Sequence, residues 1–453
     1  MKLHGPLDPD DARKAAGPVL DLPGADDVEV VVAGSNTGLT RYANSEIIQN
    51  TLRNEVRVYV RVTTDKRVAT STTNQLDADH VRKAAETALL AARASRPDDE
   101  FPGVADPKEV GKPKPVYRWD EATANSGPDK RAEAVRTILG ATKGCSAAGV
   151  YETSAHSFSV VNSRGVDCHD AYTRCVTTCL ADSGDGTGWG ESSSHAAAQV
   201  DPESIARTAQ TKATAPHATG DVEPGSYQVV LEPAAMAMLV DFLSYMGFGA
   251  KSMIEGESFL SSKLDQAVAA SMVTISDDVR NPLSVGLGFD LEGVPKQKVD
   301  VIESGIAKRP VTDLKTAAKL KTKSTGHASG SSEFGPYASN VVLAPGESST
   351  EELIAGIESG FLVTRFHYVN VLDRPATLLT GMTRDGTFAV RNGELAGAVH
   401  NFRFAQSVLD CLAAIEAIGS EPRAFAPDYG SFGSTVAPAV RVSAFNFAST
   451  TSH

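Results

Sequence analysis

The chain has 453 residues, of which 41% are hydrophobic and 22% are charged, a composition typical of globular proteins that excludes wholesale disorder. Its 56 acidic side chains outnumber the 43 Lys and Arg, and the resulting net charge of −13 disfavours a nucleic-acid partner, which requires a clustered basic face.

The N-terminus and the cysteines bear on the compartment in which the protein works. The first residues, MKLHGPLDPDDARKAAG, contain no apolar stretch of the kind found in signal peptides. No run approaches the 18 or so apolar residues of a membrane span. Five cysteines in a chain of this length are too few and too scattered for a disulfide scaffold. We therefore expect a cytoplasmic protein without a membrane partner.

Strand and helix patterns alternate through the first half of the chain. Glu55–Val62 alternates as EVRVYVRV, which predicts a half-exposed strand before a turn at Asp65–Lys66. Long segments on either side of the NSRG turn predict an antiparallel hairpin, with strands Val150–Asn162 and Val166–Asp182. The other predicted elements are strands Val28–Val32, Leu39–Gln49 (after a turn near Thr37–Gly38) and Arg67–Ser71, a helix capped by Asp77 or Asp79, and helices Pro128–Gly140 and Pro202–Ala213.

Two segments rich in Pro, Gly and charge divide the chain. Arg96–Tyr117 is typical of a linker, and His217–Tyr227 is typical of a domain boundary. We therefore predict a first domain over residues 1–220, with its central hairpin at 150–182, and a second domain over residues 221–453.

The second half is predicted to be built around one buried helix. Pro233 suits a first helical position, Gly247 and Gly249 suit its end, and the residues between are apolar on most sides. Its lone charge is Asp241. The other predicted elements are strands Gln228–Leu231, Val273–Ser276, Lys298–Ile302 and Asn340–Leu343, a loop with freedom to move between Gly305 and Gly335, a helix Thr350–Ile357 capped by Thr350, a meander Gly360–Asn370, Ala376–Arg384 and Thr387–Asn392, a helix Phe404–Ile418 and a strand Ala437–Phe447.

These patterns predict an α+β fold. The first domain is of α/β type, with an antiparallel sheet and helices. The second is strand-rich and surrounds the central buried helix.

Two local clusters of chemically active residues are weighed as sites. Cys168, His169, Cys175 and Cys179 lie within twelve residues, but in a strand Cys175 and Cys179 would be roughly 13 Å apart, too far for one metal ion. We expect buried thiols. The glycine-rich Asp182–Gly190 lacks the Lys and Ser/Thr of a phosphate loop, so we expect a strand connection.

Short motifs in a consistent order relate the chain to a known family. LEPAAMAMLVDF followed by GESFL, GFDLEGVP (Gly288–Pro295) and STGHASG (Ser324–Gly330) resembles the TldD/PmbA (TldD/TldE) metallopeptidase family. RYANSEIIQN (Arg41–Asn50) and FAVRNGE (Phe388–Glu394) extend the resemblance to most of the chain.

The resemblance implies a zinc site on the central helix, which catalytic members build from an HExxxH motif and a later Cys. Here Asp241, Phe242 and Met246 stand at the HExxxH positions, and Tyr429 stands at the Cys position. Phe cannot activate a water, and Met is a poor donor for zinc. The chain therefore resembles the zinc-less PmbA/TldE branch, and we expect no metal in this chain and no catalytic residue.

The resemblance implies a cytoplasmic, non-catalytic subunit that pairs with a TldD-like, HExxxH-bearing chain carrying zinc. Such a pair encloses unfolded or modified peptides in a cavity. Two alternatives stay open. In the first, the chain is itself a hydrolase or amide-processing enzyme of specialised peptide metabolism, with His327, Asp241 and Tyr429 as candidate residues and no zinc. In the second, it is a stand-alone peptide-binding protein.

Asp241 and His327 are the candidates for a substrate channel. Asp241 either pairs with a nearby Lys or Arg or faces the cavity where the related zinc would lie. For His327, in a Ser- and Gly-rich segment, we expect a solvated loop histidine, with a place beside a substrate channel as the alternative.

Overall fold

The computed structural model describes residues 6–218, 223–427 and 432–450. Six antiparallel strands form the first sheet: β1 Asp27–Ala43, β2 Glu46–Thr64, β3 Arg67–Thr73, β4 Ser146–Asn162, β5 Asp167–Asp182 and β6 Thr187–Ser194. Their order across the sheet is β3-β2-β1-β4-β5-β6. The predicted hairpin around the NSRG turn is confirmed as β4 and β5.

Helices cover parts of both faces of this sheet. Alternate valines of β1 and β2 pack against the small residues that line one side of the second helix, as the period of a half-buried strand requires. The helices of this half are α1 Pro9–Ala16, α2 Ala78–Ala94, α3 Pro107–Val110, α4 Glu121–Ala124, α5 Pro128–Ala141 and α6 Pro202–Ala213. Asp77 caps α2, as one of the two predicted alternatives. The predicted linker contains the short helix α3.

The second half contains two further sheets. Its strands are β7 Gly225–Leu231, β8 Ile275–Asp277, β9 Val299–Glu303, β10 Ile306–Ala307, β11 Asn340–Leu343, β12 Ser359–Asp373, β13 Leu378–Arg391, β14 Glu394–Ala398, β15 Phe402–Ser407, β16 Ile415–Ile418, β17 Arg423–Phe425, β18 Ser434–Ala437 and β19 Val440–Thr450. One sheet has the order β10-β9-β8-β11-β18-β17. The other has the order β12-β7-β19-β15-β13-β14, and pairing of β12 with β13 closes five of its strands into a barrel.

The longest helix of this half lies between these two sheets. The helices are α7 Pro233–Gly247, α8 Ala250–Ile254, α9 Leu260–Lys263, α10 Leu314–Lys319, α11 Thr350–Ala355 and α12 Val408–Ala413. Side chains of α7 share one apolar core with β8, β11, β12 and β19. The predicted α+β class, with a strand-rich second half around a central buried helix, is confirmed.

Several predicted elements were wrong. Val28–Val32 and Leu39–Gln49 are not two strands with a turn at Thr37–Gly38, because β1 runs unbroken to Ala43 and turns at Asn44 and Ser45, both with positive φ. The predicted helix Phe404–Ile418 is instead β15, α12 and β16.

Three smaller corrections concern loops and caps. The break predicted between Arg384 and Thr387 is a bulge within β13, where Asp385 and Gly386 have positive φ. Ser349, not Thr350, caps α11, because its hydroxyl accepts a hydrogen bond from the Glu352 N–H. The loop predicted between Gly305 and Gly335 contains β10 and α10.

The glycine-rich segment Asp182–Gly190 is only partly a connection. Its second half belongs to β6, in which Gly188 and Gly190 lie directly against the backbone of α6. A Cβ at position 188 would stand 2.0 Å from the carbonyl oxygen of Ala209. The glycines therefore allow α6 to approach the sheet closely.

Candidate functional site

Helix α7 is interior, as its sequence predicts. Met236, Leu239, Val240 and Leu243 are completely buried, and Pro233 occupies the first turn. Because the helix is enclosed on most sides, few of its side chains reach a cavity.

Asp241 is one of the α7 side chains that borders a cavity. Its carboxylate is buried, and Oδ1 accepts a hydrogen bond of 3.2 Å from the Thr435 hydroxyl. The cavity beside it has a volume of about 330 Å³ and is also bordered by Trp189 and Arg365. The Arg365 guanidinium lies 3.8 Å from the centre of the Trp189 ring and binds Asp385. Asp241 therefore meets a hydroxyl and borders a cavity that Arg365 also lines.

The other two positions of the expected metal motif face the apolar core. Phe242 and Met246 are buried there, and Met246 has no exposed surface. A phenyl ring offers no donor, and a thioether in a dry core cannot join hard oxygen donors around zinc. Tyr429 lies outside the described residues. Within the ranges that the structure describes, no three His, Cys, Asp or Glu side chains converge to hold a metal ion. These residues do not fit a zinc site.

The expectation of a solvated His327 was wrong, because its side chain has no exposed surface. Nε2 lies 3.0 Å from Oδ1 of Asp277, and Nδ1 lies 2.9 Å from the Thr325 hydroxyl oxygen. The backbone is fixed as well, since its N–H donates to Thr312 and its carbonyl accepts from the Tyr337 N–H. Burial lowers the pKa of His327, although Asp277 acts in the opposite direction, so the imidazole is neutral at pH 7.

Thr325, His327 and Asp277 have the residue types of a catalytic triad, but a substrate cannot reach them. Both the imidazole and the carboxylate are fully buried, and the Thr325 hydroxyl also hydrogen-bonds within the Thr312 segment. A nucleophile must reach a substrate carbonyl, and this one faces protein atoms. The arrangement stabilises the segment that crosses from β10 to β11.

An apolar cavity lies beside this buried pair. It has a volume of about 470 Å³, and apolar side chains make up most of its lining. The apolar lining includes Leu287, Phe289, Leu291, Phe334 and Phe432, and the polar lining includes Tyr245, Asp290, Lys296 and Tyr337.

A second cavity of about 450 Å³ adjoins the first one and is lined by residues of the first sheet. The two cavities share Leu291, Ser329 and Phe432. Phe432 packs edge-on against Phe158 of β4, with ring centres 4.9 Å apart. Side chains from both halves of the chain therefore line two adjoining cavities.

Comparison with known proteins identifies this architecture. Three family models match in succession: the PmbA/TldA metallopeptidase domain 1 over residues 28–92, the central domain over 120–215 and the C-terminal domain over 224–449. The chain belongs to the PmbA/TldD metallopeptidase family. The expected resemblance is confirmed.

Individual relatives of the family are distant in sequence. A metalloprotease from Methanothermobacter thermautotrophicus is 26% identical over 286 residues, which cover 60% of this chain and 62% of the relative. A metalloprotease TldD homolog from Buchnera aphidicola subsp. Schizaphis graminum is 27% identical over 201 residues, 44% of this chain and 41% of the relative. The chain thus spans less than two thirds of the length of these curated relatives.

A solved structure shows the same fold over nearly the whole chain. The crystal structure of TldE from Thermococcus kodakarensis superposes with a TM-score of 0.85 at 21% identity, covering 96% of this chain and all of the other. At that level of identity the likeness concerns the fold alone.

The FDLEG stretch of this PmbA/TldD chain contributes a buried ionic cluster that sequence analysis missed. Arg61 of β2 lies 3.2 Å from Glu29 of β1 and 3.4 Å from Glu292. Asp290 accepts hydrogen bonds from three backbone N–H groups, those of Glu292, Val294 and Ala328. The motif was visible, but the pairing joins residues 231 positions apart and has no local signal.

Burial dominates the ionisation of this cluster. It raises the pKa of Asp290 to about 7 and, together with the charge of Asp290, the pKa of Glu292 to about 8. The pKa of Glu29 is also raised by burial, and its Oε2 has no hydrogen-bond partner among the described residues. One arginine is shared between carboxylates from both halves of the chain, so the cluster joins those halves.

The cysteines behave as predicted. Cys168, Cys175 and Cys179 are buried, and all five cysteines are free thiols. Burial raises the pKa of Cys175 and of Cys179 to about 11, so both are protonated and inert at pH 7. In the described part of the chain, no helix is long and apolar enough to cross a membrane.

Proposed function

We propose that this chain is the zinc-less subunit of a TldD/TldE-type peptidase, paired with a TldD-like chain that bears HExxxH and the zinc. One observation carries the proposal: α7, which the resemblance relates to the zinc-binding helix of the family, carries Asp241, Phe242 and Met246 at the positions where the resemblance implies the metal motif. Phe242 and Met246 pack into an apolar core instead of a metal site. The family fold is retained while this helix offers no donor set for zinc.

In the proposed pair, this subunit helps to enclose unfolded or modified peptides. The support is the pair of adjoining cavities of about 470 and 450 Å³, which extended peptide could enter. The proposed location is the cytoplasm, supported by five unpaired cysteines. The acidic net charge gives no support for a nucleic-acid partner.

The two alternatives have less support. A self-sufficient hydrolase would need an accessible base or nucleophile, and His327 is sealed against Asp277 and Thr325. A stand-alone peptide-binding protein would differ from the proposed subunit in one respect, because it would bind peptide without associating with an HExxxH-bearing chain.

Co-expression with an HExxxH-bearing family member tests the proposal. We expect a complex by size-exclusion chromatography, about one zinc per pair, and hydrolysis of unfolded peptide that chelation abolishes. Substituting the Glu of the partner's HExxxH should abolish hydrolysis without dissociating the pair. The Asp241→Ala variant of this chain should leave the zinc content unchanged. The proposal fails if this chain alone hydrolyses peptides in a chelator-sensitive way.

A further inference from the structure

Lys296 is a half-buried cation that forms no direct ion pair in the described structure. Its Nζ donates to the Ser339 hydroxyl at 2.5 Å and to Oδ1 of Asn340 at 3.2 Å, both neutral acceptors. Asp277 acts on it electrostatically, yet no carboxylate of the described residues lies within 4.0 Å of its nitrogen. An ammonium group has three N–H donors, so one donor is open to a further acceptor.

The Tyr337 hydroxyl is a second polar group of the same cavity. No described residue forms a hydrogen bond with it. A partly buried hydroxyl without a partner is costly unless water or a ligand satisfies it. Lys296 and Tyr337 therefore each offer a hydrogen-bond donor to this cavity.

Most of the remaining wall of this cavity is apolar, although Asp290 and Tyr245 also line it. Phe289, Phe334 and Phe432 line it, and Phe334 is 60% exposed although it is a large aromatic residue. A volume of about 470 Å³ holds a bulky side chain with part of its backbone. The cavity thus combines an apolar surface for a side chain with a cationic group for an anion.

We propose that this cavity binds the C-terminal residue of a peptide, with its carboxylate on Lys296 and Tyr337 and its bulky apolar side chain against Phe289, Phe334 and Phe432. The proposal extends the proposed function, because it names the peptide end that this subunit would bind. A free apolar carboxylic acid has the same chemistry. The peptide is favoured because the second cavity adjoins this one at Leu291 and Ser329, so it lies where the preceding residues would bind.

Equilibrium binding to the purified full chain tests this directly. The probe is a fluorescently labelled polyalanine peptide that ends in phenylalanine, as the free acid and as the C-terminal amide. A charge-assisted contact should make the acid bind about tenfold or more tightly than the amide. Unlabelled N-acetylphenylalanine should compete more weakly than the unlabelled peptide acid, because it cannot reach the second cavity.

Matched variants locate the contact. Lys296→Met should remove the preference for acid over amide, whereas Lys298→Met should retain it, since Lys298 is exposed and pairs with Asp300. Tyr337→Phe should reduce the preference. Phe334→Ala should weaken both peptides equally, and Leu395→Ala, an exposed apolar residue elsewhere, should weaken neither. Thermal unfolding establishes that each variant is folded, and the exposed Phe334 gives a test that does not depend on Lys296.

Three results would overturn the proposal: no saturable binding, equal affinity for acid and amide, or an unchanged preference in Lys296→Met. If N-acetylphenylalanine competed as strongly as the unlabelled peptide acid, the proposal would also be overturned. The ligand of the cavity would then be a small apolar acid. The measurement uses neither zinc nor a partner chain. It therefore fails or succeeds separately from the pairing and hydrolysis that test the proposed function.

Discussion

Nε2 of His327 and Oδ1 of Asp277 lie 3.0 Å apart, and neither side chain has any surface exposed to solvent. The two atoms are close enough for a hydrogen bond but are not aligned for one. Burial alone would raise the pKa of Asp277, but Lys296 and His327 together lower it well below its usual range. A charged carboxylate thus lies against a neutral imidazole at pH 7, and it also accepts a hydrogen bond from the Asn340 N–H.

Asp277→Asn should destabilise the fold. The amide loses the attraction to Lys296 and leaves buried donors imperfectly paired, which typically costs about 1–3 kcal/mol in the free energy of unfolding. Urea unfolding at pH 7 measures this change. Asp278→Asn is the control, because the neighbouring side chain only accepts from the Arg280 N–H, a role that Asn also fills. Equal stabilities of the two variants would contradict a structural role for the pair.

Glu292 should make the folded protein less stable as the pH rises, whereas ordinary acid denaturation destabilises a protein as the pH falls. Its pKa is about 8 in the folded protein and about 4.3 in an unfolded chain, so the folded state binds the proton more tightly. The stability that this proton provides is fully present below about pH 4.3 and is lost as the pH rises through about 8. We expect Glu292→Gln to be more stable than the natural protein at pH 8 and to show a shallower decline between pH 5 and 8.

Thermal unfolding across this pH range checks the expectation. Glu303→Gln is the matched control, because Glu303 is exposed at the end of β9. It should leave the pH dependence unchanged. Parallel curves for Glu292→Gln and the natural protein would show that Glu292 is ionised at neutral pH. A residual slope in Glu292→Gln is expected from Asp290, whose pKa is about 7.

Gly188→Ala should disrupt the packing of α6 on β6. The added Cβ would lie 2.0 Å from the carbonyl oxygen of Ala209 and 2.6 Å from the nitrogen of Ala213, so the helix must move away. Overpacking of this kind costs about 1–3 kcal/mol or more. Gly140→Ala is the control, since its Cβ meets nothing within 4 Å inside α5 and should gain up to about 1 kcal/mol of helix stability. Chemical unfolding of both variants distinguishes a contact effect from a general effect of removing glycine.

Sequence alone was sufficient where burial follows a local period. The β4–β5 hairpin, α6 and α7 were all predictable because their apolar spacing and their turn residues agree with each other. The prediction of a single helix over Phe404–Ile418 was wrong, because the apolar residues of this segment suit a helix as well as a strand. In the structure β15 buries alternate residues, and only Val408–Ala413 is helical.

The candidate site was predictable in part. The resemblance located α7, and with it Asp241, Phe242 and Met246. The burial of His327 was not predictable, because Ser, Thr and Gly around it are typical of a solvated loop. Its partner Asp277 lies fifty residues earlier in the sequence, at the end of β8, whereas His327 lies in the segment between α10 and β11. Long-range pairs of this kind depend on the tertiary fold and leave no local pattern.

Chelation should leave the stability of this chain unchanged. A bound metal stabilises the folded state by mass action, so its removal lowers the thermal midpoint of a protein that depends on it. In residues 6–218, 223–427 and 432–450 no metal-binding group of side chains exists, and Met246 is sealed in the core. We expect the thermal midpoint with and without EDTA to agree, and elemental analysis after dialysis to find far less than one zinc per chain. An HExxxH-bearing family member is the positive control, and its midpoint should fall with EDTA. Retention of one zinc per chain by this protein would contradict both this prediction and the proposed division of labour between the two subunits.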